Sequence, residues 1–342
     1  MTRKRVVVIE GEDAAPEAMR PSVALLQGLG LPIDWIRPGP ADARAAIDAS
    51  DATFFGATSG ASTAALFYLR WGKQTYANLR PVRFLEGAKS PLARPAGIDL
   101  AIVRENLEDL YVGVEGPIEQ LAPLALQSRT SGRPIADLAP GRFALKVISE
   151  RGSERVARFA FELARRRRAS GRPGRVTCGT KHNMLAQTDG LFRDVAARVA
   201  REFPDVPFEV RIVDDLAHRL VAHAQDLDVV LLPNLYGDIL SDAAAALVGG
   251  LGLAPSGCYG ERYAYFEPAH GTAPDIAGKN TINPTATLLS GALLLEYLGF
   301  AEEARRLERA IESAYRNGDA LPPDQGGSAS TDQFCAAIAL QL

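Results

Sequence analysis

The sequence predicts an α/β fold other than the classical Rossmann type, on three observations. Short apolar runs alternate with longer segments of helical period, the rhythm of a sheet flanked by helices. A length of 342 residues with 47% apolar side chains is enough for one large or two medium domains with true cores. The dinucleotide fingerprint GxGxxG is missing: Gly28-Leu29-Gly30 and Gly250-Leu251-Gly252 both fail at the third glycine, where Ile33 and Pro255 stand.

The elements follow in order. Residues 6–9, Val-Val-Val-Ile, read as a buried strand ending in a turn at Gly11, and residues 17–29 as a helix stopped by Gly28 and Gly30. Further strands are expected at 52–55, 98–103, 176–179, 208–213 and 229–232, and helices at 153–168, 191–202 and 216–224. Residues 116–142, rich in Pro, Gly and Ser, break the rhythm and are too long for an ordinary connection, so they read as an arm suited to subunit contact. The basic run Arg165 to Arg168 reads as a solvated helix end favoured by the helix dipole.

Composition excludes several classes. The 38 Lys+Arg nearly balance the 41 Asp+Glu, leaving a formal charge of -3, so no global field recruits nucleic acid or an anionic membrane. Cys178, Cys258 and Cys335 form no CxxC pair, which fits a reducing, cytoplasmic setting and argues against a cysteine zinc site. The opening MTRKRVVVIEGED has too few apolar residues for a secretory leader, and no run of apolar residues is long enough to span a bilayer. A Walker A loop fails at Gly278-Lys279-Asn280, and neither HExxH nor GxSxG occurs.

Three groups of residues carry chemistry. Asn234-Leu-Tyr-Gly-Asp238-Ile-Leu-Ser-Asp242 follows the strand at 229–232, and its two aspartates, four apart, project from one helix face. Such a pair of hard oxygen donors suits Mg2+ or Mn2+, although Asp238 as a helix N-cap and Asp242 as a first-turn residue is the plainer reading. The run Glu267-Pro-Ala-His270-Gly271-Thr272-Ala273-Pro274-Asp275-Ile276, continuing to Asn283, has the Gly, Pro and polar groups of a ligand-binding loop. Arg70, Arg80 and Arg104 each lie near an element end, and three convergent guanidinium forks would grip a polyanionic acid.

In this order and spacing the segments resemble the isocitrate and 3-isopropylmalate dehydrogenase family of β-decarboxylating dehydrogenases, from Val6 to the Pro322-Pro323-Asp324-Gln-Gly-Gly327 tail. The resemblance implies a two-domain fold of the isopropylmalate dehydrogenase type: residues 1–97 plus 249–342 form a cofactor-side domain, and 98–248 a dimerisation and metal-site domain with an arm around 115–145. It implies metal binding by Asp238 and Asp242, with Asp214 as a third ligand supplied across a homodimer interface. Lys181, in Thr180-Lys181-His182-Asn183, corresponds to a catalytic lysine that also enters from the partner, and Tyr111, in RENLEDLY, to a tyrosine acid. Arg70, Arg80 and Arg104 correspond to the arginines that hold the malate carboxylates. Residues 267 and 270–276 with Asn283 are the implied cofactor loop, where Asp275-Ile276 favours NAD over NADP.

Two departures bear on function. The first turn, commonly Gly-Asp-Gly-Ile-Gly-Pro-Glu in such proteins, is Gly11-Glu-Asp-Ala-Ala-Pro16-Glu17 here. Ahead of Arg70, where isocitrate members carry Ser and Asn and homoisocitrate members an arginine, stand Ala64, Leu66 and Phe67. A γ-carboxylate beside Leu66 and Phe67 would lose water without gaining a partner. The expectation is therefore NAD-dependent oxidative decarboxylation of a 3-substituted malate with an apolar γ-substituent. Isocitrate, D-malate and tartrate oxidation are the enzymatic alternatives, and a non-catalytic regulatory homologue is the alternative of another class. Residues 104–116 and 146–163 are closer to the isocitrate branch, so scaffold and pocket point to a specialised member.

Overall fold

The computed structural model describes residues 3–342, and its centre is one ten-stranded mixed sheet. In chain order the elements are β1 (Lys4–Ile9), α1 (Ala15–Gly28), β2 (Ile33–Ile36), α2 (Ala43–Asp48), β3 (Ala52–Phe55), α3 (Thr63–Phe67), β4 (Ala77–Arg83) and β5 (Asp99–Glu105). There follow β6 (Glu115–Pro117), β7 (Arg142–Ala144), α4 (Glu150–Ala169), β8 (Val176–Thr180), α5 (Thr188–Ala200), β9 (Phe208–Ile212), α6 (Val213–Ala222), β10 (Val229–Leu232) and α7 (Asn234–Leu247). The chain closes with β11 (Pro255–Tyr259), β12 (Ala264–Pro268), α8 (Thr285–Tyr297), α9 (Ala301–Asn317) and α10 (Thr331–Ala339). The strand order is β2-β1-β3-β12-β11-β4-β5-β10-β8-β9. The outer strands run parallel, while β4 and β11 are antiparallel to their neighbours and join the two ends of the sheet.

The continuous apolar runs become strands because both sheet faces are covered. In β5, Ala101 and Val103 enter the core formed with α1, α4, α5, α8, α9 and α10, while Leu100 and Ile102 enter a second core against α6 and α7. In β10, Val229 and Leu231 face the first core, and Val230 and Leu232 the second. Each such side chain contributes about 1.5–3 kcal/mol through burial, so a polar substitution at either parity is costly. The same parity places Arg80, Arg104 and Glu267 on the face that carries α3 and α7.

Differences from the sequence expectations have local causes. The strand expected to reach Val213 ends at Ile212, and α6 begins at Val213, so Asp214 sits in a helical first turn that favours a carboxylate. The helix expected from residue 153 starts at Glu150, because Ser149 Oγ accepts the Gly152 N–H at 3.0 Å as an N-cap. The basic run at its end is solvated at Arg165, Arg166 and Arg168, as expected, but Arg167 turns inward: it bonds Asp228 at 2.5 Å and Asp99 at 2.9 Å, and so ties α4 to the starts of β5 and β10. Residues 115–144 form a two-stranded β6–β7 ribbon enclosing short 3-10 turns, with Leu124, Leu126 and Leu138 exposed. Among the described residues, no helix is long and apolar enough to cross a membrane.

Candidate active site

The site lies over the middle of the sheet, where antiparallel pairing places Asn78 of β4 opposite Arg104 of β5. Arg70 arrives from the other side, on a π-helical turn, Tyr68–Gly72, that continues α3. Such one-turn widenings of a helix recur where a side chain must be aimed. Arg70 Nε donates to the Asn106 carbonyl at 2.7 Å, and its guanidinium lies between the rings of Trp71 (5.0 Å) and Tyr111 (5.6 Å). Arg80 is set by Asn78, whose Oδ1 accepts from Arg80 Nε at 2.9 Å. Arg104 is buried and donates to Asn234 Oδ1 from Nε at 2.9 Å and from Nη2 at 2.6 Å. The three arginines therefore converge.

Opposite them, α7 presents Asp238 and Asp242. The helix begins at Asn234, so neither aspartate is a cap or first-turn residue and the plainer reading does not hold. Arg104 Nη1 bonds Asp238, Arg80 Nη1 bonds Asp242 at 3.0 Å, and Arg80 Nη2 lies 3.8 Å from Asp238. Burial raises the Asp242 pKa, against the pull of Arg80. The Arg104 guanidinium is pushed down from its ordinary value by burial first and by the like charge of Arg70 second, yet stays protonated at neutral pH. Tyr111 Oη donates to Asp238 Oδ2 at 2.7 Å, and burial and this bond raise its pKa, which keeps the phenol protonated.

Lys181 and Asp214 stand apart from this cluster as a pair, Nζ to Oδ1 at 2.5 Å. The hydrogen bond from Lys181 holds the Asp214 carboxyl below its usual range. Among the described residues, no three His, Cys, Asp or Glu side chains gather to hold a metal. Within one chain Asp238 and Asp242 of α7 are two hard oxygen donors of the kind a divalent cation takes, and Asp214 does not join them.

The cofactor-loop residues divide. His270, Gly271, Ala273, Ile276 and Asn283 line a cleft of about 290 Å³ together with Gly252 and Asp324. His270 Nδ1 faces the Gly271 carbonyl at 2.8 Å, its Nε2 has no hydrogen-bond partner, and burial lowers its pKa. A neutral imidazole with a free acceptor suits a nucleobase, so the cleft fits the adenosine end of a dinucleotide. Pro274 to Ile276 form a 3-10 turn at its rim, and Thr272 is buried, its carbonyl accepting from the Ala14 N–H at 3.0 Å. Glu267, by contrast, lies within electrostatic reach of Arg80, Arg70 and Arg104, and burial raises its pKa against their attraction.

The two expected selector residues also separate. Leu66 packs against the core group of Leu69, Cys258 and Tyr265. Phe67 is 55% exposed and meets the Trp71 ring edge-on at 5.1 Å. Sequence reasoning missed Asn78, Asn106, Asn234, Gly252 and Asp324. Asn234 opens the aspartate motif and could have been read as part of it, but nothing local marks the others.

Residues 35–338 match the model of the family described as isocitrate/isopropylmalate dehydrogenase. A 3-isopropylmalate/3-methylmalate dehydrogenase of Methanocaldococcus jannaschii is 39% identical, over 99% of this chain and 98% of that one. An isocitrate/homoisocitrate dehydrogenase of Thermus thermophilus is 40% identical, over 98% and 97%. The crystal structure of isocitrate dehydrogenase from Methylococcus capsulatus superposes with a TM-score of 0.82 at 32% identity, covering 99% of both chains.

Proposed function

The chain belongs to the isocitrate/isopropylmalate dehydrogenase family of oxidative decarboxylating enzymes, and we propose that it converts a 3-substituted malate with an apolar γ-substituent to a 2-oxo acid, using NAD and Mg2+ or Mn2+. The observation that carries this reading is the convergence of Arg70, Arg80 and Arg104 beside Asp238 and Asp242, with the uncovered Phe67 ring on the helix that leads to Arg70. Two carboxylates of the acid would pair with the guanidinium forks, and an alkyl group would gain from Phe67 what a third carboxylate would lose.

When bound, a divalent cation held by Asp238 and Asp242, with Asp214 of a second copy, would acidify the substrate hydroxyl, and the nicotinamide would accept the hydride. Lys181, entering as the neutral amine with Asp214 relaying its proton to solvent, takes the hydroxyl proton. Tyr111, protonated and beside Asp238, returns a proton to carbon after CO2 leaves. Because Lys181 and Asp214 do not reach the arginines of their own chain, the reading includes a homodimer with shared sites, for which the exposed leucines of the arm offer contact surface. It also includes the domain division 1–97 plus 249–342 and 98–248, and a reducing cytoplasm, which suits three free buried thiols.

NADH formation with Mn2+, compared across 3-isopropylmalate, isocitrate, D-malate and tartrate, with NADP as control, tests the reading. Preferential turnover of the alkylmalate with NAD is expected. Preference for isocitrate would mean that descent outranks the pocket, as the names of several relatives suggest.

A further inference from the structure

The altered first turn holds a carboxylate that reaches across to the substrate side. Glu12 follows Gly11, whose positive φ (77°) is required because a Cβ there would lie 2.1 Å from the Ala57 carbonyl oxygen. Its carboxylate sits inside the segment 58–62, which joins β3 to α3. Oε2 accepts from Thr58 Oγ1, from the Ser59 N–H at 2.7 Å and from the Gly60 N–H at 3.1 Å, and Oε1 accepts from the Ser62 N–H at 2.9 Å. Burial opposes its charge, but the bonds from Thr58, Ser62 and Ser59 outweigh that and bring its pKa down to about 2.

Residues 58–62 read Thr-Ser-Gly-Ala-Ser and bring no large apolar side chain to anchor them, and Ser59, Gly60 and Ala61 are exposed. Glu12 is therefore the main tether of the segment that starts α3. That helix runs on through the π turn to Gly72 and carries Phe67 and Arg70. Asp13 adds a weaker link, accepting from Ser59 Oγ at 3.2 Å.

We infer that Glu12 is a positioning residue: without touching the substrate, it seats the first turn of α3 and so sets the affinity of Arg70 and Phe67 for the hydroxy acid. This rests on the functional reading above, in which α3 lies beside the acid. On the far side the first turn meets the cofactor loop through the Ala14 N–H donating to Thr272, through the Glu17 carboxylate accepting from the Gly278 and Asn280 N–H groups, and through Ala14 packing with Ala273 and Ile276; none of these contacts uses the Glu12 side chain, which should therefore act on the acid and not on NAD.

The test pairs hydrogen exchange with steady-state kinetics on the native enzyme, Glu12→Ala and Glu12→Gln. Exchange at the Ser59, Gly60 and Ser62 amides should accelerate in Glu12→Ala. KM for the acid should rise about tenfold, with kcat and KM for NAD within about twofold, as expected for the loss of charge-assisted hydrogen bonds that act through position. Glu12→Gln, with one oxygen still accepting, should fall between. Unchanged exchange, unchanged acid KM, or equal rises for acid and NAD would each overturn the inference. The kinetics use whichever acid the native chain turns over, so a wrong substrate assignment leaves the test intact. Were there no turnover at all, the functional reading would fail, and calorimetric binding of 3-isopropylmalate and isocitrate to native and Glu12→Ala protein would still decide the role of Glu12.

Discussion

Gly237 of α7 packs directly on Arg104 of β5: a Cβ at residue 237 would lie 2.6 Å from Arg104 Cγ and 2.7 Å from its Cβ. The missing side chain lets the helix bearing Asp238 approach the strand bearing the buried arginine. Gly237→Ala should cost about 1–3 kcal/mol by overpacking and raise KM for the acid, measured by urea denaturation and initial rates. Native stability and an unchanged KM would show that the close approach is dispensable.

Arg104→Lys should behave as a non-conservative change. An ammonium group cannot present the fork that meets Asn234 twice while also reaching Asp238. A loss of about tenfold or more in kcat/KM is expected, with most of it recovered by neither salt nor added metal. Near-native kinetics would remove the geometric role assigned to Asn234.

Glu105 predicts a pH dependence of stability. It is buried, accepts the Leu107 and Glu108 N–H groups, and burial raises its pKa from 4.5 to about 7. The folded state then binds the proton more tightly than the unfolded chain, so stability falls as pH rises from 4.5 through 7. Glu105→Gln should therefore unfold at higher urea than the native protein at about pH 9, by up to a few kcal/mol, and match it near its ordinary 4.5. A variant destabilised at alkaline pH would reverse the sign and refute the burial argument.

Tyr111 and Lys181 should separate the two halves of the reaction. Lys181→Met should abolish hydride transfer, while Tyr111→Phe should spare it and slow decarboxylation and protonation, assayed with the 2-oxo-3-carboxy acid supplied directly. Equal losses in both half-reactions for both variants would end this division of labour.

Asp275 stands at the rim of the cleft that holds His270 and Asp324. If its carboxylate rejects a ribose phosphate, Asp275→Lys with Ile276→Tyr should shift kcat/KM from NAD toward NADP by about tenfold or more. An unaltered ratio would place cofactor choice elsewhere.

The expected strands at 52–55 and 229–232 coincide with the observed ones because each is a short apolar run bounded by turn residues and buried on both faces. Local pattern suffices where burial is symmetric. It failed at Asp214, where strand and helix abut without a linker, and at Arg167, whose partners Asp99 and Asp228 are distant in sequence. Leu66 and Phe67, adjacent in sequence, face opposite environments, and no local signal distinguished the core-facing from the open side of so short a helix.

By itself, the sequence determined the α/β rhythm, the family resemblance and the chemical types available: three arginines, two aspartates four apart, a lysine and a tyrosine. Spacing and side-chain chemistry are local properties and can be read along the chain. Only the tertiary structure decided that Arg80 and Arg104 meet Asp238 and Asp242 while Arg70 reaches Asn234, that Glu267 lies within their electrostatic reach, and that Lys181 pairs with Asp214 away from them. Those outcomes depend on sheet register and on how closely helices approach, which Asn78 opposite Arg104 and Gly237 against it set across long sequence separations.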